Sequence, residues 1–313
     1  MFSNEFWNAP AGHGQSEPTT RGIVAFGTNG NTANATRFNV SNLISSNGVV
    51  ASDTTGVGSI RADSVGATYG DDKGIYFGGS SAEGVTNLIS NNGVVASDTS
   101  MVGRNTEGAG GGRYGEDKAV FAFGFDDDAG TPMNLSRLVG NNGVVGSEVA
   151  GVGSSRYALS GEAFGGDRVI IAFGVLITSY AATGISNLIS NTGVVAADTA
   201  AVGTARWSFA VATFGDNQAI FGFGRFNSGD TGVTNLVSDS GVIASDTARV
   251  GTARRGPAGC GYGGDKGIFT MGAIGTSGSG GRTNLVTNQG VVGNDISQVG
   301  SDLKGKAGCG FAN

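Results

Sequence analysis

Short apolar runs alternate with glycine-rich turns along nearly the whole chain, and they do so on a fixed period. In residues 206–246, Ser208 to Phe214 alternates small and larger side chains, and Gly215-Asp216-Asn217 offers turn chemistry. Ala219 to Phe223 is then an unbroken apolar run, and a polar stretch leads to Thr234 to Val237 and Val242 to Ser245, parted by Asp239-Ser-Gly241. Alternation marks a strand, a short unbroken apolar run marks one covered on both faces, and glycine between two short runs supplies the positive φ of a hairpin. One period therefore predicts four antiparallel strands: a small-residue first, an apolar second, and a third and fourth joined by a tight turn.

The period is written six times. Its most constant words are Gly48-Val-Val-Ala-Ser-Asp53, Gly93 to Asp98, Gly143 to Glu148, Gly193 to Asp198, Gly241 to Asp246 and Gly290 to Asp295, 45 to 50 residues apart. A Val-Gly turn follows each, and then, in four copies, an arginine: Arg61, Arg156, Arg206 and Arg254; Thr106 and Leu303 hold that place in the other two. Repeats of this length with several short strands predict a β-propeller. Arg21 to Phe26 reads as a second strand with no first before it, and Lys304 to Phe311 as a first strand with no second after it. The expected fold is all-β: a six-bladed β-propeller of four-stranded antiparallel blades, closed by N- and C-terminal strands that share the last blade. It spans 20–313 and is preceded by an extension, 1–19. Such a splice removes exposed sheet edges at the seam.

Composition narrows the function. Glycine is 59 of 313 residues with only four prolines and no collagen-like period, and the small first strands crowded at an axis account for much of it. A net charge of −6 with 14% charged residues argues against nucleic acid. No apolar run approaches the roughly 18 residues of a membrane span, and the first residues lack the pattern of a secretory signal. Cys260 and Cys309 share a repeat offset that holds Ala67, Gly112 and Ala212 elsewhere, which predicts free, buried thiols. The sole histidine, His13, lies outside the repeats, so no His/Cys metal site or Ser-His-Asp triad is expected in the ring, and neither is a cofactor. Asp126, Asp127 and Asp128 are consecutive, not spaced as calcium loops space their ligands. The expectation is a protein that is not an enzyme; a carbohydrate-active enzyme with paired carboxylates is the weaker alternative.

The order arginine, small strand, turn, Ile-Phe-x-Phe-Gly and two outer strands resembles the kelch repeat over residues 20–313, although the double glycine after the second strand occurs once, at Gly78-Gly79. The wording Thr-Asn-Leu-Val-Ser-x-x-Gly-Val-Val-Ala-Ser-Asp is similar to kelch-like propellers in virion proteins of tailed bacteriophages. That resemblance implies a structural or attachment role in a virion assembled in the host cytoplasm. The alternative it leaves is a kelch-like protein-binding adaptor inside a cell.

In a four-stranded meander, the links between second and third strands lie on one face, and here they differ from copy to copy. Variable loops on a rigid frame are the usual place for recognition. Phe125, Asp126, Asp127, Asp128, Leu176, Tyr180 and Phe226 are the candidates there, for host-surface carbohydrate or protein. The opposite face carries uniform turns with Asp72, Asp117, Asp167, Asn217 and Asp265, expected to be solvated hairpin ends. Glu162 and Arg113, in small-residue strands, are expected to pair between repeats. In the extension, Phe2, Phe6 and Trp7 are expected to anchor the chain to another virion subunit, as aromatic anchors in segments that order on a partner do.

Overall fold

The unbroken apolar runs become the middle strands of antiparallel sheets. The computed structural model describes residues 20–30, 35–80, 84–275 and 281–311; the extension 1–19, with its three aromatic candidates, lies outside them. Among the described residues all regular structure is β, with no helix, and hence none long and apolar enough to cross a membrane. Arg168–Ala172 is typical: it pairs antiparallel with Ser160–Phe164 on one side and Ser186–Ile189 on the other, and Val169 to Ala172 are fully buried. Lys73–Phe77, Lys118–Asp126, Gln218–Gly222 and Lys266–Met271 sit likewise at the centre of their sheets.

The remaining sheet joins the two ends of the sequence. Arg21–Ala25 pairs with Ser41–Ile44 on one side and with Ala307–Phe311 on the other, Ile23 opposite Cys309 and Arg21 opposite Phe311. We number this sheet first and the others second to sixth in chain order. The innermost strands, Ala307–Phe311, Val65–Tyr69, Gly110–Tyr114, Ser160–Phe164, Ala210–Phe214 and Ala258–Tyr262, touch in that cyclic order, the last returning to the first.

Backbone hydrogen bonds lace these neighbours at both ends. Two residues after each anchor position stand Asp63, Gly108, Ala158, Ser208, Gly256 and Gly305, all left-handed with φ between 49° and 64°. That conformation turns each N–H along the ring. Asp63 donates to the Gly305 carbonyl, Gly305 to Gly256, Gly256 to Ser208, Ser208 to Ala158 and Gly108 to Asp63, while the remaining step is made by Leu159 donating to Gly108 at 3.4 Å. A non-glycine residue is unfavourable there by about 1–2 kcal/mol; at Asp63, Ala158 and Ser208 the bonds offset it. At the opposite end Gly70, Gly115, Gly165 and Gly215 donate to the carbonyls of Asp117, Asp167, Asn217 and Asp265, and Gly263 to Thr20.

Side-chain volume sets which strand meets which. A Cβ on Gly22 would lie 2.5 Å from the Cys260 Sγ of the neighbouring sheet, and one on Gly74 2.6 Å from Cys309 Sγ. Gly267 faces the Cβ of Ala212, and Gly112 faces Cγ1 of Val169. A larger side chain on one strand meets a smaller one on the next, as close packing requires. Both cysteines are free and buried, as expected.

The fourth strands depart from expectation. Only Val145–Val149 makes a ladder of any length; Thr99–Ser100 and Ile296–Ser297 are two residues long, and the corresponding segments of the first, fourth and fifth sheets make isolated bridges such as Ile189↔Val195 and Ser186↔Thr199. Competition from a side chain explains this. Asn42, Asn87, Asn187, Asn235 and Asn284 each donate through Nδ2 to a carbonyl of that segment, Ala51, Ala96, Ala196, Ala244 and Gly293, at 2.9–3.0 Å. In the third sheet Arg137 replaces the asparagine, and there the ladder forms.

Gly22→Ala should lower unfolding stability by about 1–3 kcal/mol through overpacking, and Cys260→Ala in the same chain should restore most of it. Urea denaturation of the two single variants and the double variant measures the coupling; additive effects would refute the interlock.

Candidate functional site

Each sheet buries one cation next to its inner neighbour. Arg61, Arg156, Arg206 and Arg254 are fully buried. Each guanidinium carbon lies over a phenylalanine of the preceding sheet: Arg61 over Phe26 at 3.5 Å, Arg156 over Phe123 and Arg206 over Phe173 at 4.1 Å, and Arg254 over Phe223 at 3.7 Å. Phe26, Phe173 and Phe223 follow the second strand and Phe123 lies within it, and all four are left-handed, with φ of 60–65°. A bulky residue there is strained, and the cation over the ring is the compensating contact.

The polar partners come from the cation's own sheet. Arg156 Nη2 donates to Asn187 Oδ1 at 2.5 Å, and Arg61 makes the same bond to Asn87. The asparagine Nδ2 donates to an aspartate at 2.8–3.0 Å: Asn42 to Asp53, Asn87 to Asp98, Asn187 to Asp198, Asn235 to Asp246 and Asn284 to Asp295. That aspartate grips the link entering the sheet: Ser59 and Ser154 donate through Oγ at 2.6 Å, and Thr204 and Thr252 through Oγ1 at 2.5 Å. In the fifth and sixth sheets the guanidinium turns instead to the Phe221 and Phe269 carbonyls at 3.5 Å, and Asn235 and Asn284 Oδ1 have no hydrogen bond. Burial pulls Arg61, Arg156 and Arg206 down to about 10 and Arg254 to about 9, against the pull of their aspartates. For Asp98 and Asp198, burial works upward, but the hydrogen bonds from serine and asparagine outweigh it and hold the carboxyls below their ordinary range.

The two repeats without an anchor arginine recover the cation from another position. In the third sheet Arg137, in the asparagine's place, donates to Glu148 at 2.5 Å and to Thr106 Oγ1 at 3.2 Å, while Glu148 accepts the Arg104 N–H at 2.8 Å. In the first sheet Leu303 is a buried apolar residue and Lys306, three residues on, donates to Asn42 Oδ1 at 2.7 Å; burial lowers Lys306 to about 8. Asp53 meanwhile accepts from Ser301, across the seam of the chain. The asparagine and aspartate were in plain sight in Thr-Asn-Leu and Ala-Ser-Asp; the substitutes Arg137 and Lys306 lie out of register and could be found only by asking where the missing cation went.

The proposed loop candidates fare unevenly. Lys118–Asp126 and Thr131–Val139 continue as a long hairpin, so Phe125 and Asp126 lie on a strand and not in a loop. Asp126 is buried, 3.2 Å from Arg104 Nη1, and accepts the N–H groups of Asp128 and Ala129. It holds its own turn and presents nothing outward. Phe125 is half-buried against Tyr157, ring centroids 5.2 Å apart. Asp127 and Leu176 are half-buried, as is Phe226 in its two-residue ladder with Gly229–Asp230; Asp128 is exposed, and Tyr180 is 75% exposed. On the opposite face the turn aspartates are paired locally, Asp72 with Lys73 and Asn91, Asp117 with Lys118 and Asn141, Asp265 with Lys266 and Asn288.

Two pockets open between the innermost strands. Arg113 and Glu162, on neighbouring strands, line one end, beside Thr68 and Thr213. Burial raises Glu162 to about 7, opposed by the Ala163 N–H at 2.9 Å and by Arg113. At the other end, burial with Asp63 and Asp127 nearby raises Glu107 to about 7, opposed by Ser80 and Arg37. No family model matches this chain, and no curated protein matches it in sequence.

Asn187→Ala should destabilise the fold by about 2–4 kcal/mol, because it removes the shortest acceptor of the buried Arg156 and one of the donors to Asp198; a loss below about 0.5 kcal/mol in urea would show that the clamp is idle. Glu107 and Glu162 both hold protons when folded that the unfolded chain releases above its ordinary value near 4.5. Their stabilisation is complete below about pH 4.5 and is lost as pH rises through 7. Glu107→Gln with Glu162→Gln should therefore remove about 1–3 kcal/mol of pH dependence between 4.5 and 7, read as a flatter plot of midpoint against pH.

Proposed function

We propose that the chain is a six-bladed β-propeller that serves as a non-enzymatic structural and attachment module of a phage particle. In this reading it is tethered by Phe2, Phe6 and Trp7, and its loop face points outward to a host-surface glycan or protein. The observation that carries the reading is the use made of the repeated charges. In every sheet the cation and the acid are engaged with each other or with the links between sheets, so the repeated wording builds a frame, and the residues that vary from copy to copy cluster at one end of it. A frame stiffened by a backbone ring at one end and by five such links at the other, with Tyr180 standing clear of the surface, suits display on a particle. The kelch-like order of strands and the similarity of the repeat wording to virion propellers point the same way.

Both native thiols are buried, so single cysteines introduced by Tyr180→Cys or Val194→Cys can carry a bulky maleimide at opposite ends of the strands. Val194 is 65% exposed at the turn after the third strand. The label at 180 should abolish adsorption to host cells and the label at 194 should leave it intact; equal effects would reject an outward loop face. Removing residues 2–12 should leave the thermal midpoint within a few degrees while the protein no longer joins particles, and unimpaired incorporation would reject the tether.

A further inference from the structure

The position one residue after each anchor stands between two structural obligations, the buried cation before it and the left-handed ring residue after it. Its side chain differs in all six copies: Ala62, Glu107, Tyr157, Trp207, Arg255 and Lys304. Three of them line a cavity between the innermost strands, and Ala62, Arg255 and Lys304 line the groove beside it; cavity and groove together form one mouth. Glu107, Tyr157 and Trp207 share a cavity of about 280 Å³ with Asp63, above a floor that includes the buried Leu159 and Phe209. Arg255 and Lys304 line the adjoining groove with Arg37.

We infer that this mouth binds one neutral sugar residue, its apolar face against Tyr157 and Trp207 and its hydroxyls on Glu107 and Asp63; this rests on the loop face being the recognition face. The chemistry of the lining selects that class. Two half-exposed aromatic side chains and an apolar floor suit the C–H face of a pyranose, and carboxylates accept hydroxyl protons in pairs. A charged ligand is disfavoured because the charges already have counterparts. Asp230 holds Arg255 at 2.9 Å, and Lys304 and Arg37 act on Asp63. Glu107, raised to about 7, donates as readily as it accepts near neutral pH. Size fixes the extent. At about 280 Å³ the cavity is at the low end of the range of ligand pockets, the size of one ring.

The chain has two tryptophans, Trp7 and Trp207, so Trp7→Phe leaves Trp207 as the sole indole. That protein is titrated with methyl glycosides of neutral hexoses and N-acetylhexosamines, of a uronic acid and of an amino sugar, followed by indole emission and by ligand-detected NMR. At least one neutral glycoside should give a saturable emission change, with affinity lowered tenfold or more by Glu107→Ala. Trp207→Phe, followed by NMR, serves as the second variant should Glu107→Ala fail to fold. No saturable response to any neutral glycoside overturns the inference, as does preference for the uronic acid or the amino sugar. NMR-detected binding that leaves Trp207 emission and the Glu107 variant unaffected puts the sugar elsewhere: it sinks this site and leaves the loop-face reading standing. That reading falls separately if the labels at 180 and 194 act alike.

Discussion

A cation buried between two sheets is costly unless it is hydrogen-bonded, and that constraint organises this molecule. Each guanidinium or ammonium needs an acceptor, and the acceptor must come from the sheet it belongs to. In the first, second and fourth sheets an asparagine supplies it and in the fifth and sixth a carbonyl does, and the aspartate bonded to each asparagine reaches the link arriving from the sheet before. Buried ion pairs are a weak source of net stability but a strong penalty against misassembly, since a missing partner leaves a desolvated charge. The two irregular repeats show how firm the requirement is. Thr106 and Leu303 give up the cation, and Arg137 restores it from the third strand and Lys306 from three residues further on. The anchor residue is dispensable; the buried charge is not.

The same economy accounts for what could be read from the residues. The strand order and its period follow from apolar runs and turn glycines, and the seam between Arg21–Ala25 and Ala307–Phe311 follows from counting offsets, because a period-two strand tolerates no slip. The left-handed positions were hidden. Asp63, Ala158 and Ser208 carry side chains at a site where glycine would be the signal, and only the ring of N–H bonds explains them. The weak fourth strands were hidden for a related reason: their sequences suit a strand, yet the neighbouring asparagine takes a ladder carbonyl. Asp126 misled because three consecutive acids read as a solvated loop, while one of them is the buried cap of its own turn beside Arg104.

The loop face was legible as a region but not as a site. Variable length between second and third strands marks where the copies diverge, yet Phe125, Leu176 and Phe226 are half-buried rims of their own sheets, as apolar loop tips often are. The more telling variation is a single residue per copy, directly after the anchor, where length never changes and a loop-by-loop comparison sees nothing. Its meaning depends on geometry: six positions far apart in sequence meet around one opening only when the innermost strands follow one another in a cycle.

That geometry separates stability from recognition. The clamps sit between sheets and the hydrogen-bond rings run through the backbone, so neither depends on the side chains at the mouth or on the outer links. Residues at the mouth can therefore change charge, shape and size, from Ala62 to Trp207, with little demand on the frame. The exceptions are the titrating carboxylates: Glu107 and Glu162 are held in surroundings that favour their neutral forms, so the groups best placed to meet a ligand are also the ones whose ionisation the fold resists. A sugar hydroxyl accepting the Glu107 proton at the proposed site would favour the same neutral form that burial already favours.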